Sequence, residues 1–362
     1  IDANIVAGEI DIKADLIAGG SYTALTGNLE LDAGDKIADA AIKTAAGDVI
    51  LNSGDLYSLV VDSAGVIDGA GVTGNIVGGE YVGTGAITFD AAALIASASF
   101  DGSDDVILAA NSIEMVSVKA NDNASLTADA IDAATVIAQN GNVEIDAKQI
   151  AASIITAETG DITFTGEDLY NLTVTAGGAI EGSAVTGNLV GGSYVGTDDI
   201  TFDNTALIAG ASFDGSNDVI LAANSIEMVS VKANDNASLT ADAIDAATVI
   251  AQNGNVEIDA TQIAASTITA ETGDVVFAGE DLYNLTVSAG GAIDGTAVTG
   301  NLVGGSYVGT GDITFDTAAL IASASFDGSD NVILGADSIK LVDVKANDGA
   351  TLTADAIDGV TV

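Results

Sequence analysis

The chain has 362 residues and a formal net charge of −45, from 53 acidic residues against 8 lysines, and it contains no Arg, His, Cys, Pro or Trp. These absences exclude His-based and Cys-based catalytic pairs and a disulfide framework. With 48% apolar residues and a positive mean hydropathy, the sequence is too hydrophobic to be a disordered acidic tail.

In chain order, the sequence consists of copies of one 113-residue unit. Residues 1–97 form a diverged copy, 98–210 and 211–323 are full copies, and 324–362 are a partial copy. Residues 98–147 and 211–260 differ at a single position, Asp104 against Asn217. A fixed period of this kind is typical of repeat architectures, so we expect a single continuous structure over 1–362 without linkers.

Each unit divides again into six pieces of 18–20 residues, such as 141–159 and 160–177. A piece opens with Gly, Asn or Asp and then holds three short runs of alternating β-branched and apolar residues. This alternation between turn-forming residues predicts three strands per piece and no helix. We therefore predict an all-β fold, a parallel β-solenoid (β-helix) of about 19 coils with a six-coil superrepeat.

A solenoid coil cannot bury its inward side chains alone, so stacked coils must supply each other's interior. At a strand spacing of roughly 4.8 Å, the predicted coils would form a rod roughly 90 Å long. Its charge density, about one charge per 2 Å, would approach that of duplex DNA. We expect the surface to attract cations, with other surface or matrix components as further candidate partners, and to avoid nucleic acid. No apolar run is long enough for membrane insertion.

Aromatic residues recur at a separation of one coil. Because like residues stack in a solenoid, we predict three two-ring stacks: Tyr81 with Phe100, Tyr194 with Phe213, and Tyr307 with Phe326. The interpretation we favour is core packing, and the alternative is an exposed shelf that binds sugar.

Acidic corner sequences are the candidate metal sites, and calcium is the candidate ion because it prefers hard oxygen ligands. The candidate ligands are Asp101, Ser103, Asp104, Asp105, Asp214, Ser216, Asp218, Asp327, Ser329 and Asp330. The alternative, which we favour, is that these side chains bond to the backbone of their own turns. Neither an EF-hand spacing nor the glycine-rich calcium nonapeptide is present.

Catalysis is not expected from this sequence. Paired carboxylates such as Asp104–Asp105 and Asp198–Asp199 lie in repeated corner sequences, and a repeated corner is not a unique site. Without arginine to hold an acidic sugar, polysaccharide cleavage also lacks its usual binding group. We predict no catalytic and no cofactor-binding residues.

Four copies of the N-glycosylation pattern Asn-x-Ser/Thr occur. Asn123 and Asn236 begin Asn-Ala-Ser, and Asn171 and Asn284 begin Asn-Leu-Thr. The pattern is short, and the Asn-Leu-Thr pair is expected to lie inside a strand. We therefore treat the matches as incidental.

Neither end of the sequence resembles a polar cap, and the chain opens on Ile1 inside the repeat pattern, as a mature or excised segment would. An uncapped solenoid exposes unpaired strand edges. Two explanations stay open: identical chains stack head to tail, or the chain is a window of a longer repetitive protein. The residues at the predicted self-assembly ends are Ile1, Asp2, Ala3, Asn4, Ile5, Thr361 and Val362.

The repeated sequences Gly-Asn-Val-Glu-Ile-Asp-Ala and Gly-Asp-Val-x-φ-x-Ala-x-x-Ile, where φ is apolar, resemble the β-helical shafts of large exported bacterial adhesins. These are of the filamentous-haemagglutinin and autotransporter kind. The resemblance covers essentially the whole chain through repeat style, without the family's amino-terminal secretion signature. It implies an extracellular or cell-surface location and a shaft that forms a fibre or carries adhesion. We therefore expect a subunit of an extracellular filament assembled head to tail; the alternative is the stalk of an adhesin whose binding tip lies elsewhere.

Overall fold

The computed structural model of the chain describes residues 3–362. These residues form β-strands and turns with no helix. The strands are parallel and stack as a β-solenoid of about 19 turns with about 19 residues per coil, which confirms the predicted fold class. The chain divides into two compact units, up to Ala179 and from Ile180 to Val362.

Strands of the first unit alternate between long and short. In chain order they are β1 (Asn4–Ala7), β2 (Ile10–Ala18), β3 (Ser21–Ala24), β4 (Leu29–Ala38), β5 (Ala41–Thr44), β6 (Val49–Tyr57), β7 (Val60–Ser63), β8 (Ile67–Val72), β9 (Asn75–Val77), β10 (Glu80–Gly83), β11 (Ile87–Ala96), β12 (Ser99–Gly102), β13 (Val106–Glu114), β14 (Ser117–Ala120), β15 (Ala124–Asp132), β16 (Thr135–Ala138), β17 (Val143–Ala151), β18 (Ile154–Ala157), β19 (Ile162–Tyr170) and β20 (Thr173–Ala176).

The second unit repeats the same alternation. Its strands are β21 (Ile180–Val185), β22 (Asn188–Val190), β23 (Ser193–Gly196), β24 (Ile200–Ala209), β25 (Ser212–Gly215), β26 (Val219–Glu227), β27 (Ser230–Ala233), β28 (Ala237–Asp245), β29 (Thr248–Ala251), β30 (Val256–Ala264), β31 (Thr267–Ala270), β32 (Val275–Tyr283), β33 (Thr286–Ala289), β34 (Ile293–Val298), β35 (Asn301–Val303), β36 (Ser306–Gly309), β37 (Ile313–Ala322), β38 (Ser325–Gly328), β39 (Asn331–Lys340), β40 (Asp343–Ala346) and β41 (Gly349–Asp358).

Within each unit, successive coils pair through parallel strands, most of them in unbroken register. In the first unit, β15 pairs with β17 from Ala124↔Val143 to Asp132↔Ala151, and β16 pairs with β18 from Thr135↔Ile154 to Ala138↔Ala157. Inward positions therefore form continuous columns of Val, Ile, Leu and Ala. Away from the terminal coils, residues in these columns are almost completely buried, and burying them stabilises the stack by roughly 25 cal/mol per Å² of apolar surface.

Most coils contain two strands where the sequence predicted three. The first two predicted runs are one long strand that bends: in β17, Ala147 and Ile150 are buried while Lys148 and Gln149 between them are exposed. Three coils of 20 residues split the long strand, into β8 and β9, β21 and β22, and β34 and β35, whereas the 20-residue coil of β4 keeps it whole. Extra residues at the bend interrupt the pairing there.

A second corner follows every long strand, and we call it the left-handed corner. Most of these corners have one residue with positive φ, and the four Gly-Gly corners have two. Glycine accepts this conformation freely, whereas other residues do so at a cost of roughly 1–2 kcal/mol. The corners recur every 18–20 residues, at Gly19, Asp39, Ser58, Gly78, Ser97, Met115, Ala133, Ala152, Asn171, Gly191, Gly210, Met228, Ala246, Ala265, Asn284, Gly304, Ser323, Leu341 and Gly359.

Candidate functional surfaces

The third corner, where a short strand leads into the next long strand, carries a ladder of Asn and Asp side chains that we call the ladder corner. The backbone N–H of Asp161 donates to Asn142 Oδ1 at 2.9 Å, and that of Asn142 donates to Asn123 Oδ1 at 2.9 Å. Asn123 in turn donates from its backbone N–H and its Nδ2 to Asp105 Oδ1, at 2.9 and 3.0 Å. Each side chain thus satisfies a donor of an adjacent coil.

The ladder corner repeats in the second unit with the same chemistry. The N–H of Asp218 donates to Asp199 Oδ1 at 3.1 Å, and the N–H of Asn255 donates to Asn236 Oδ1 at 2.9 Å. Asp274 N–H then donates to Asn255 Oδ1 at 2.8 Å. Asp and Asn alternate freely in this column because either side chain supplies the acceptor oxygen.

These bonds account for part of the candidate calcium set. Asp105 and Asp218 belong to the ladder. Asp101, Asp214 and Asp327 instead form ion pairs with the lysine of the adjacent short strand, at 3.4, 3.1 and 2.9 Å from Lys119, Lys232 and Lys345.

The remaining candidates do not complete a coordination shell. Ser103 and Asp104 are exposed, and the backbone N–H groups of Ser216 and Ser329 donate to Gly196 and Gly309 across the coils. Asp330 accepts a bond from Asp348 N–H through its own carbonyl oxygen. Within residues 3–362 no group of three or more His, Cys, Asp or Glu side chains could hold a metal ion. Calcium at these corners stays a prediction.

Aromatic side chains form three buried layers in the interior, each made of a Tyr and two Phe. Tyr307 stacks on Phe326 with ring centroids 5.1 Å apart and an interplanar angle of 15°. The corresponding distances are 5.0 Å for Tyr81 and Phe100 and 5.2 Å for Tyr194 and Phe213. All these rings are 0–2% exposed, so they form core and not a sugar-binding shelf.

Sequence reasoning missed the third ring of each layer. Phe315 lies edge-on to Tyr307 at 5.4 Å, and Phe89 and Phe202 occupy the same place beside Tyr81 and Tyr194. The sequence signal for this ring was the Ile-Thr-Phe that opens each of these coils. We interpreted that sequence only as the start of a strand.

A glycine in the preceding coil makes room for each of these phenylalanines. A Cβ atom on Gly69, Gly182 or Gly295 would lie 2.1–2.2 Å from the ring of Phe89, Phe202 or Phe315. A large ring in one coil is therefore matched by a glycine in the adjacent coil. The glycine and its phenylalanine lie 20 residues apart in the sequence.

The layers also contain three buried polar atoms without a partner. The hydroxyl groups of Tyr81, Tyr194 and Tyr307 make no hydrogen bond among the described residues. Burial raises the pKa of each of these tyrosines far above its ordinary value, because the phenolate would lose its hydration. By contrast, Tyr283 donates its hydroxyl to Asp281 at 3.0 Å.

The outward face of the short strands carries a continuous column of hydroxyl side chains. In the second unit it runs through Ser193, Ser212, Ser230, Thr248, Thr267, Thr286, Ser306 and Ser325, in register from one coil to the next. We call it the hydroxyl column.

The structure separates the four Asn-x-Ser/Thr patterns into two kinds. Asn123 and Asn236 lie in the ladder corner, with their carboxamides hydrogen-bonded. Asn171 and Asn284 lie at the left-handed corner, exposed, with φ of 52° and 53°. The expectation that the latter pair lies inside a strand is wrong, since both fall between a long and a short strand.

The left-handed corner also presents three large apolar side chains. Met115, Met228 and Leu341 occupy the same position in successive 113-residue units and are 61%, 65% and 67% exposed. The outer surface of residues 3–362 also has shallow open grooves. Two equivalent ones lie near Asp203 and Asn224 and near Asp316 and Asp337.

The residues at the predicted self-assembly ends lie in terminal coils. Asn4 and Ile5 pair with Ser21 and Tyr22, Ala3 accepts a hydrogen bond from Ser21 N–H through its carbonyl oxygen, and Thr361 forms a parallel bridge with Asp343. Val362 is 75% exposed. Ile1 and Asp2 lie outside the described residues.

Comparison with protein-family models, with curated proteins and with solved structures returned no match. Among the described residues, no helix has the length and apolar character needed to cross a membrane.

Proposed function

We propose that the chain is a structural subunit of an extracellular filament or surface fibre, assembled head to tail through the ends of the solenoid. The observation that carries the proposal is the apolar edge of the last coil. Ile357 is 51% exposed, whereas Ile339, its register partner one coil earlier, is 0% exposed. A further coil in the same register would bury Ile357 and pair with β41.

Two features of the molecule support addition of coils in this way. The interior columns continue from coil to coil and β41 presents a strand edge, so a new coil finds apolar and backbone partners there. The ladder corner stops at Asn331, because Gly349 occupies its next position. A contact between unlike surfaces that does not close into a ring produces a filament. The acidic surface opposes lateral association, because exposed like charges repel at distances up to about 10 Å at 0.1 M salt.

Electron microscopy of the purified chain in salt and calcium tests the proposal. We expect long uniform fibres with an axial repeat near 4.8 Å and a longer one of roughly 28–29 Å for six coils. Single tapering stalks would instead favour the stalk of an adhesin. A discrete monomer in light scattering at high protein concentration would contradict filament assembly.

A pair of variants locates the assembly surface. Ile357→Asp places a charge on the apolar edge and should abolish fibres, because a buried unpaired charge opposes docking. Thr353→Asp adds the same charge on the outward face of the same strand, where Thr353 is exposed, and should leave fibres intact. Equal loss of fibres in both variants would contradict docking through this edge.

A further inference from the structure

We propose that Asn171 and Asn284 are acceptor sites for N-linked glycans. The proposal rests on the proposed extracellular location, because the Asn-x-Ser/Thr acceptor pattern has this meaning in exported proteins. Each site would place one sugar chain at the left-handed corner of its own unit of coils, beside the hydroxyl column.

The local backbone at Asn284 presents the carboxamide to solvent. Asn284 directly follows β32, and one residue separates it from the start of β33. Its φ is 53°. Its backbone N–H is fixed by a hydrogen bond to Val303 O at 2.9 Å. Among the described residues the carboxamide makes no hydrogen bond, so its Nδ2 is available without loss of a contact. Asn171 occupies the equivalent corner with φ of 52° and is also exposed.

The coil after Asn284 leaves space for the carboxamide. A Cβ atom on Gly304 would lie 2.2 Å from Asn284 Oδ1, so a side chain at that position would collide with it. The amide thus lies over a glycine and is not held between side chains.

The threonine of the acceptor pattern belongs to the hydroxyl column. Thr286 is the first residue of β33 and is exposed, so its hydroxyl group and the Asn284 carboxamide are on the surface together. Asn tolerates a left-handed conformation better than most residues. An Asn at the left-handed corner lies two residues before a threonine of the hydroxyl column, and these two residues together form the acceptor pattern.

The Asn-Ala-Ser sites of the same chain provide an internal contrast. Asn236 Nδ2 donates to Asp218 Oδ1 at 3.0 Å, and Asn236 Oδ1 accepts from Asn255 N–H at 2.9 Å. An enzyme that reorients this carboxamide must break both bonds. At about 1 kcal/mol each, their loss would lower reactivity at Asn236 roughly thirtyfold relative to Asn284.

The reaction needs a sugar donor activated as an anomeric phosphate ester, which is a co-substrate and not part of this chain. Asn284 Nδ2 forms a bond to the anomeric carbon while the bond from that carbon to the phosphate oxygen breaks. Nδ2 loses one proton to a base of the transferring enzyme, and the phosphate leaves with the electron pair. No oxidant or reductant is required.

Glycopeptide mass spectrometry of the chain isolated from its own cells tests the proposal. Cleavage before aspartate gives one peptide, 281–293, with Asn284. It also gives the peptide Asp-Asn-Ala-Ser-Leu-Thr-Ala, which arises from both 122–128 and 235–241 and reports Asn123 and Asn236 together. We expect sugar mass on the first at an occupancy at least ten times that of the second. Peptide 168–197, with Asn171, should carry sugar like the first.

Two conservative variants at the recognition position provide the control. Thr286→Val should abolish the sugar mass on peptide 281–293, whereas Thr286→Ser should retain it, and neither replaces a buried side chain. An exported chain with unmodified Asn284 would overturn this proposal and leave the fibre intact. An unmodified chain found only inside the cell would overturn both proposals, and equal occupancy of Asn236 and Asn284 would overturn the role of the corner geometry.

Discussion

Two regions of the second unit fill the same coil in different ways. The aliphatic coils, residues 219–270, stack Val231, Val249 and Ile268 in one interior column. In the aromatic layer the same column holds Tyr307 and Phe326, which pair in the same parallel register. Backbone pairing is therefore common to both regions, and only the distribution of side-chain volume differs.

The difference in side-chain volume between the two regions shows which of them tolerates a larger side chain less well. In this column the aliphatic coils place side chains of similar size, Val231, Val249 and Ile268. The aromatic layer has room for its rings because Gly295 has no side chain beside Phe315 and Gly305 has none beside Tyr307. Protein interiors are close-packed, so an added methyl group in such a layer has no space to occupy.

Gly295→Val should produce the largest effect. The new side chain would overlap the Phe315 ring, and we expect a loss of about 3 kcal/mol or more in the free energy of unfolding. Denaturant unfolding followed by far-UV circular dichroism measures it. The control is Gly210→Ala, where a Cβ meets nothing within 4 Å and φ is 63°, for which we expect about 1 kcal/mol. Similar losses in both would contradict volume exchange between coils.

Alkaline pH should destabilise the aromatic layers specifically. The folded-state pKa of Tyr81, Tyr194 and Tyr307 is raised by burial, so the unfolded chain loses these protons first. Their contribution is complete below the unfolded pKa near 10 and declines above it, by about 1.4 kcal/mol per pH unit for each tyrosine. Unfolding midpoints between pH 8 and pH 12 measure the slope.

The triple Tyr→Phe variant is the matched control for that slope. It should lose the steep alkaline decline, and at neutral pH it should be as stable as the parent or more stable, because it removes three unpaired buried hydroxyl groups. A decline of unchanged steepness in this variant would assign the effect to other groups.

Asn255→Ala should have the smallest effect, because it changes the ladder corner that both regions share. Asp274 N–H would lose its acceptor, at a cost of about 1 kcal/mol. Faster hydrogen exchange at the Asp274 amide would report the change locally. Asn255→Asp keeps an acceptor oxygen, as Asp218 does in the same column, and should protect that amide. Equal exchange rates in the two variants would show that the ladder contributes nothing.

Much of the fold could be predicted from the sequence because the repeat fixes it. The 113-residue and 19-residue periods, with alternation such as Val-Glu-Ile at 143–145, suffice for a parallel solenoid. The bend inside β17 was not predictable from alternation, because Lys148 and Gln149 belong to one uninterrupted strand. Local periodicity does not distinguish a bent strand from two strands.

The candidate surfaces were less predictable, since they depend on which positions meet across coils. The link between Gly295 and Phe315 joins residues 20 apart. The Ile-Thr-Phe sequence that contains Phe315 indicates a strand but not the glycine that faces the ring. Asn284 seemed to belong to a strand because Leu285 and Val287 around it are apolar, and only its positive φ shows a corner. The calcium candidates were selected by composition alone, which could not reveal the lysine opposite Asp214.

The regular recurrence of the left-handed corner has a consequence at the level of the gene. Since one 113-residue copy contains a whole number of coils, recombination between near-identical copies would delete or insert complete coils. On both sides of the junction, the corners, the ladder and the interior columns would keep their positions within each coil. Alleles of different length could therefore encode products that fold equally well and differ only in reach.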